Sequence, residues 1–325
     1  MKRSLSGIKP TSGLPHLGNY LGMIKPALEL QKTCETFYFI ADFHALTSIR
    51  DAKKLREDTF LMTAAFLAFG FDPSKGALFR QSDIPEIPEL SWILGCLASY
   101  GDLTRAHAYK AAKDEGREGE LNLGTFSYPV LMSADILLYD SDVVPVGQDQ
   151  LQHIEMTRQL AQRFNHYYGD VFKKPEAVVQ ASVATIPGID GVNKMSKSSG
   201  NYIEVLASEK ILKAQVMAIV TDSLGLDDKK NPDDSVIVKF YKFFANPAEV
   251  ADMENKFRAG GYGYGHAKIA LLEKILQHFA PARKRFDELV NNPTEVEKVL
   301  KEGQAKAREK AIVVLEKARK ACGLR

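Results

Sequence analysis

The chain has 325 residues, 45% of them hydrophobic and 26% charged, with a formal net charge of +2. That length supports one large α/β unit plus a smaller one with ample core, so no disulfide or metal staple is needed. Near-neutral charge neither demands nor excludes nucleic acid, and an ordinary globular composition names no function.

Cys34, Cys96 and Cys322 are isolated, without Cys-x-x-Cys or paired His spacing. This speaks against a disulfide framework and against a zinc or iron–sulfur site, so no metal-ligand set is expected. Pro10 interrupts the N-terminus before an apolar stretch of signal length forms, and no run reaches the roughly 18 apolar residues of a membrane span. The expectation is a cytoplasmic protein with no membrane partner. Basic residues gather in 267–325, with 14 Lys and Arg against 8 Asp and Glu. A solvated helix face and a nucleic-acid surface both fit that excess.

Residues 4–8 read as a short strand that ends at Gly7-Ile8-Lys9-Pro10. After a turn through Thr11, His16-Leu17-Gly18-Asn19 opens a helix expected through Leu30. A strand, a glycine turn and a helix N-terminus together aim free backbone N–H groups at a phosphate or purine. Gly18 lets a base or ribose lie against backbone that a Cβ would obstruct. His16 and Asn19 can either cap the helix or reach phosphate oxygens.

A buried strand over 36–41, an amphipathic helix over 51–69 and a strand over 77–80 follow. This alternation argues for a parallel sheet with helices on both faces. His44 comes just after a strand's C-terminal end, where ligands of such sheets bind, and is read either as pocket wall or as a structural histidine. Residues 85–100 form an apolar helix carrying the only tryptophan, Trp92, assigned to core or an interface. Residues 110–120 are charged and broken by glycine, so an exposed mobile loop is expected. Beyond Pro129 a helix is expected on which Tyr128, Met132 and Asp135 share a face at i, i+4 and i+7. A carboxylate in so apolar a segment needs a donor, either an indole N–H of a ligand or an intramolecular partner.

Gly147-Gln148-Asp149-Gln150 repeats the sequence of strand, glycine, polar cluster and helix start. Asp149 can accept ribose hydroxyls or cap the helix, and Gln150 can bond an amino or carboxylate group. A last strand over 178–183 leads through Thr185-Ile186-Pro187-Gly188 to Lys194-Met195-Ser196-Lys197-Ser198. Two lysines three apart among small residues can bring two flexible ammonium groups onto one polyphosphate. Helical spacing then covers 203–224, 236–244 and 267–291, and a final helix opens with Thr294 and Glu297 as a capping box.

Together these motifs resemble the class I aminoacyl-tRNA synthetases, whose signatures are His-x-Gly-His near the N-terminus and Lys-Met-Ser-Lys-Ser after the nucleotide fold. Within that class the chain is similar to the tryptophanyl-tRNA synthetase family over its whole length. The residues carrying the narrower match include His16-Leu17-Gly18-Asn19-Tyr20, Tyr128-Pro129, 134–139, 144–150 and Thr221-Asp222-Ser223. The resemblance implies an α/β Rossmann-type doubly wound parallel sheet with a C-terminal helical domain. It divides the chain into a catalytic domain over 1–190 with a helical dimer insertion at about 84–120, a lysine loop and helical tRNA anticodon-binding domain over 191–292, and a helix over 293–325 packing back.

The resemblance further implies a reaction in which L-tryptophan and ATP, carried with Mg²⁺, give tryptophanyl-adenylate and pyrophosphate, the amino acid then passing to tRNA(Trp) on a homodimer. His16, Asn19, Lys110, Lys194 and Lys197 become the catalytic set. Lys9, Pro10, Thr11, Gly18 and Asn19 join Gly147, Gln148, Asp149, Thr185 and Ile186 around ATP, closed over by Lys194, Met195, Ser196, Lys197 and Ser198. His44, Tyr128, Met132, Asp135 and Gln150 bind tryptophan, with Asp135 selecting the indole N–H. Two departures stand out: many relatives have Gln at the position of Lys9, and the turn between Pro10 and Gly13 is one residue longer than in the shorter family turns. A tyrosyl enzyme of the same subclass, a small-molecule adenylyltransferase and a non-catalytic descendant kept for RNA binding or regulation are the alternatives.

Overall fold

Five parallel strands form the centre of the protein: β1 (Lys2–Ile8), β2 (Cys34–Ile40), β3 (Gly76–Arg80), β4 (Val143–Pro145) and β5 (Glu176–Val178). Their order is β3-β2-β1-β4-β5, so the chain runs outward from β1 to β3 and then crosses back to the other side of β1. This is the doubly wound Rossmann-type arrangement, and β1 and β4 flank the switch point at which such sheets open a crevice. The computed structural model describes residues 1–10, 13–114, 116, 119, 121–179 and 186–324, apart from the side chains of His107, Ala108, Ala111, Ala112 and Asp149.

Alternation along β2 divides the core. Tyr38 and Ile40 point into one layer and Phe37 and Phe39 into the other, as a two-residue period requires. The first layer holds a helix that begins at Leu17–Asn19, passes through a π-helical turn at Tyr20–Ile24 and ends in Lys25–Leu30. It also holds the helix Ala52–Ala68, along which the long helix Tyr264–Asn291 packs. The second layer holds Glu86–Gly95, Leu123–Leu137 and Leu151–Tyr168.

The C-terminal helix Pro293–Ala321 belongs to both layers. Val296 and Leu300 are buried in the first, and Ala307, Ala311, Val314, Leu315 and Ala318 in the second. It therefore crosses the edge strand β3, and Gly303 sits at the crossing, where a Cβ would come within 2.0 Å of the Leu78 carbonyl oxygen. Arg80 with Glu297 and Arg308 with Glu86, each pair 2.7 Å apart, fasten the helix on either side. A sheet edge is covered in this way against pairing with another chain.

Several local expectations are corrected. Thr294 and Glu297 make no capping box: the helix starts at Pro293, its N-cap Asn292 has no side-chain cap bond, and the Glu297 carboxylate is taken by Arg80. The Asp135 helix starts at Leu123, before Pro129, because Asn122 caps it by accepting from the Thr125 N–H. Pro129 lies inside that helix and removes one backbone donor from its ladder. Lys110 lies on a helix, His107–Asp114, and not in a loop. Helix within 203–224 is confined to Glu209–Met217, since Ser208 caps its start and Ile203, Val205 and Leu206 are buried ahead of it. A helix the spacing did not suggest, Pro247–Ala259, is opened by a capping box of Asn246 and Glu249. Trp92 is 74% exposed and is not core. The last strand is Glu176–Val178, and residues 180–183 of the strand expected over 178–183 lie outside the described residues.

Candidate functional site

Two cavities open at the carboxyl edge of the sheet. The larger, about 470 Å³, is floored by Gly7 near the end of β1 and Lys9 just after it, Ala41 and His44 after β2, and Val146 and Gly147 after β4. Tyr128, Met132 and Asp135 form its inner wall from one face of their helix, and Gln150 closes it. The smaller, about 290 Å³, is walled by His16 and Asn19 on one side and by Ser196, Lys197 and Ser198 on the other. Lys9 lines both. Its Nζ donates to the Thr47 hydroxyl at 3.1 Å, and burial pulls its pKa below the usual lysine value.

Asp135 is 1% exposed, and its donors come from within the protein. Gln81 Nε2 donates to both carboxylate oxygens at 2.9 and 2.8 Å, and His44 Nε2 lies 3.0 Å from Oδ2. Burial pushes the Asp135 pKa up, opposed by His44 and then Gln81. Three contacts use three of the roughly four lone-pair sites of a carboxylate, leaving about one for a ligand N–H. Gln81 was missed from the sequence, although it directly follows the C-terminal end of β3. Tyr128 Oη pairs with the buried His153 Nε2 at 2.7 Å, which fixes the ring against the cavity.

His16 and Asn19 form a reciprocal cap: the Asn19 N–H donates to His16 Nδ1 at 3.2 Å, and the His16 N–H donates to Asn19 Oδ1 at 3.1 Å. An accepting Nδ1 places the ring proton on Nε2. Burial, then Lys197 and Lys194, push the His16 pKa down to about 4, so the ring is neutral at pH 7. Capping and cavity lining therefore hold together for these residues. Gly18 serves the packing of the lysine loop, since a Cβ there would meet the His16 ring at 3.0 Å and Met195 at 3.3 Å.

The lysine loop is pinned at its base. The Met195 N–H donates to the Ile186 carbonyl at 3.0 Å, and both residues are buried in the core and on neither cavity wall. Asn201, also unforeseen, accepts from the Ser196 N–H at 2.8 Å and donates to Asp190 at 2.9 Å and to the Lys194 carbonyl at 3.1 Å. Lys197 reaches the small cavity, where its Nζ pairs with Glu204. Lys194, Lys110 and Gln148 are exposed and line neither cavity, while Pro10 is buried. Thr11, Thr185 and the side chain of Asp149 lie outside the described residues. Among the described residues no cluster of three His, Cys, Asp or Glu could hold a metal ion, and no helix is long and apolar enough to cross a membrane.

Residues 2–280 match the family model described as tRNA synthetases class I (W and Y). A protein of Fusobacterium nucleatum named tryptophan–tRNA ligase is 50% identical over 325 residues, covering 100% of this chain and 98% of its own length. One of the same name from Rhodopirellula baltica is 48% identical over 99% of this chain and 100% of its own. The crystal structure of tryptophanyl-tRNA synthetase from Campylobacter jejuni complexed with ADP and tryptophan superposes with a TM-score of 0.92 at 42% identity, over 99% of both chains.

Proposed function

Because the chain belongs to the class I tRNA synthetases of the tryptophan and tyrosine family, we propose that its large cavity receives tryptophan and its small cavity the triphosphate of ATP, with Lys9 between the reacting groups. The chain is a tryptophan–tRNA ligase, which activates L-tryptophan with ATP and transfers it to tRNA(Trp). The observation that carries the division of labour is the shared wall at Lys9. It joins a cavity ending in a buried carboxylate to one ringed by donors and cations.

A carboxylate oxygen of tryptophan attacks the α-phosphorus, and the bond to pyrophosphate breaks with its electron pair leaving on pyrophosphate. In the second step a hydroxyl of the terminal ribose of tRNA attacks the adenylate carbonyl, loses its proton, and AMP departs. Neither step needs a covalent enzyme intermediate, so the protein acts by positioning and by stabilising phosphate charge. Lys197 and Lys194 hold the leaving pyrophosphate, with Mg²⁺ arriving on ATP as part of the substrate. His16, through Nε2–H, and Asn19 face the phosphates, and Lys110 approaches from its helix. Gly18, Gly147, Gln148, Asp149, Thr185 and Ile186 serve ribose and adenine, while Pro10, Thr11, Met195, Ser196 and Ser198 shape the closing loops. In the large cavity the remaining acceptor site of Asp135 takes the indole N–H, Met132 lies against the ring, and Tyr128, Gln150 and His44 complete the pocket. ATP–pyrophosphate exchange assayed with each of the twenty amino acids is expected to respond to tryptophan alone, and comparable exchange with tyrosine would overturn the assignment.

The reading extends to organisation. Residues 1–190 form the catalytic unit, 191–292 the lysine loop with helices for the tRNA anticodon, and 293–325 the helix that ties them, in a protein working in the cytoplasm beside its tRNA. Trp92, Leu123 and Tyr100 are 74%, 77% and 70% exposed, and Trp92 and Leu123 border an apolar surface cavity of about 560 Å³. So much exposed apolar surface marks a contact face, here proposed for a second copy of the chain. Trp92→Arg is expected to convert a dimer to a monomer in analytical ultracentrifugation. It should also raise the KM for tryptophan, because the helix Leu123–Leu137 carries both this face and Asp135. An unchanged sedimentation coefficient would remove the proposal.

A further inference from the structure

The lysine of the small cavity is held by a carboxylate that the reaction itself does not use. Lys197 Nζ pairs with Glu204 and lies 5.4 Å from the centre of the Tyr202 ring, with the two charged side chains only 14% and 17% exposed. The partners stand on unequal ground. Ser198, Ser199 and Gly200 are exposed, and the loop's turn is knit by hydroxyl contacts among Ser196, Ser198 and Ser199. Glu204 lies between the fully buried Ile203 and Val205, in a segment bonded from three sides. The Leu17 N–H donates to the Ile203 carbonyl at 2.8 Å, the Glu204 N–H donates to Gln215 Oε1 at 2.8 Å, and Arg283 Nη1 donates to the carbonyls of Val205 and Ala207 at 2.8 and 2.6 Å.

A fixed carboxylate thus holds an ammonium carried on an exposed loop, beside the cavity where phosphates bind. We infer that Glu204 is a catch for the lysine loop, a positioning residue that holds Lys197 while the nucleotide site is empty and yields it to the triphosphate. ATP binding then exchanges one anionic partner of Lys197 for another, and part of the phosphate attraction is used to break the first pair. When pyrophosphate leaves, Glu204 recaptures the lysine. The inference rests on the assignment of the small cavity to the triphosphate.

Glu204→Gln keeps the size of the side chain and removes its charge. In pyrophosphate exchange it is expected to lower the KM for ATP about 5-fold, the worth of a partly buried ion pair, with the KM for tryptophan unchanged. Glu204→Asp, which keeps the charge but draws it back from Lys197, should lower the KM for ATP by less than Glu204→Gln does. A purely structural role would move both KM values and the melting temperature together, and that pattern, or a KM for ATP that is unchanged or raised, overturns the catch. Should Glu204→Gln not fold, Glu204→Asp decides: a carboxylate drawn back by one methylene is expected to lower the KM for ATP by a smaller factor, and no change rejects the inference. Lys197→Ala separates the two levels. Normal exchange in that variant removes the cavity assignment itself, whereas impaired exchange alongside a Glu204→Gln variant of unchanged KM for ATP removes the catch alone.

Discussion

Replacing Asp135 with alanine is expected to lower kcat/KM for tryptophan by about 100-fold or more, while the KM for ATP stays within about twofold. The magnitude follows from the loss of a charged acceptor in a dry pocket, roughly 3 kcal/mol, where each 1.4 kcal/mol is tenfold. The substitution also strands Gln81 Nε2 and His44 Nε2, which lose the carboxylate they share. Melting temperature must therefore be read beside the kinetics, so that a general loss of stability is not taken for a loss of selection. Discrimination carries the sharper signal. Phenylalanine, which has no ring N–H to offer, leaves the last acceptor site of the desolvated Asp135 carboxylate unfilled and is rejected for it. With alanine in its place that penalty disappears, and the ratio of tryptophan to phenylalanine in pyrophosphate exchange should fall steeply. An unchanged ratio would mean that shape alone selects the substrate.

Lys197→Ala is expected to lower kcat in pyrophosphate exchange by about 100- to 1000-fold, with tryptophan affinity measured by equilibrium dialysis unaltered. Removal of a single donor aimed at developing charge in an enclosed site costs about this much. Among the described residues Lys197 is the lysine of the loop on the small cavity's wall, opposite His16 and Asn19. The neutral state of His16 sharpens the expectation. Burial and the two loop lysines keep its pKa near 4, so at pH 7 it can offer the cavity a hydrogen bond but no charge. Among the described residues the cations on that cavity's wall are Lys197 and Lys9, and burial makes Lys9 less basic. Retention of kcat within twofold at saturating ATP would show that the loop lysine is not where charge develops.

Much of this site was readable residue by residue. Tyr128, Met132 and Asp135 line one wall because positions i, i+4 and i+7 of any helix share a face, whatever the helix packs against. His16, Gly18 and Asn19 cluster because they belong to one helical turn, and a five-residue run keeps Ser196, Lys197 and Ser198 together. The parallel sheet followed from alternating strands and helices, since parallel neighbours need a crossover.

Partnership was not readable in the same way. Asp135 was known to need a donor, but His44 and Gln81 reach it only because β2 and β3 end side by side. Glu297 has a sequence position suited to capping its helix, yet Arg80, 217 residues away, takes it as a bidentate partner, and a charged fork outcompetes a backbone N–H. Gly303 is required only because the last helix crosses Leu78 there. The amino-acid order alone determined which groups would be presented, because helix face, strand alternation and short motifs depend on a few bonds of covalent separation. Tertiary structure decided which groups would meet, Lys197 with Glu204 and Asp135 with Gln81 among them, because a buried charge is settled by whichever partner the packing brings within hydrogen-bond reach.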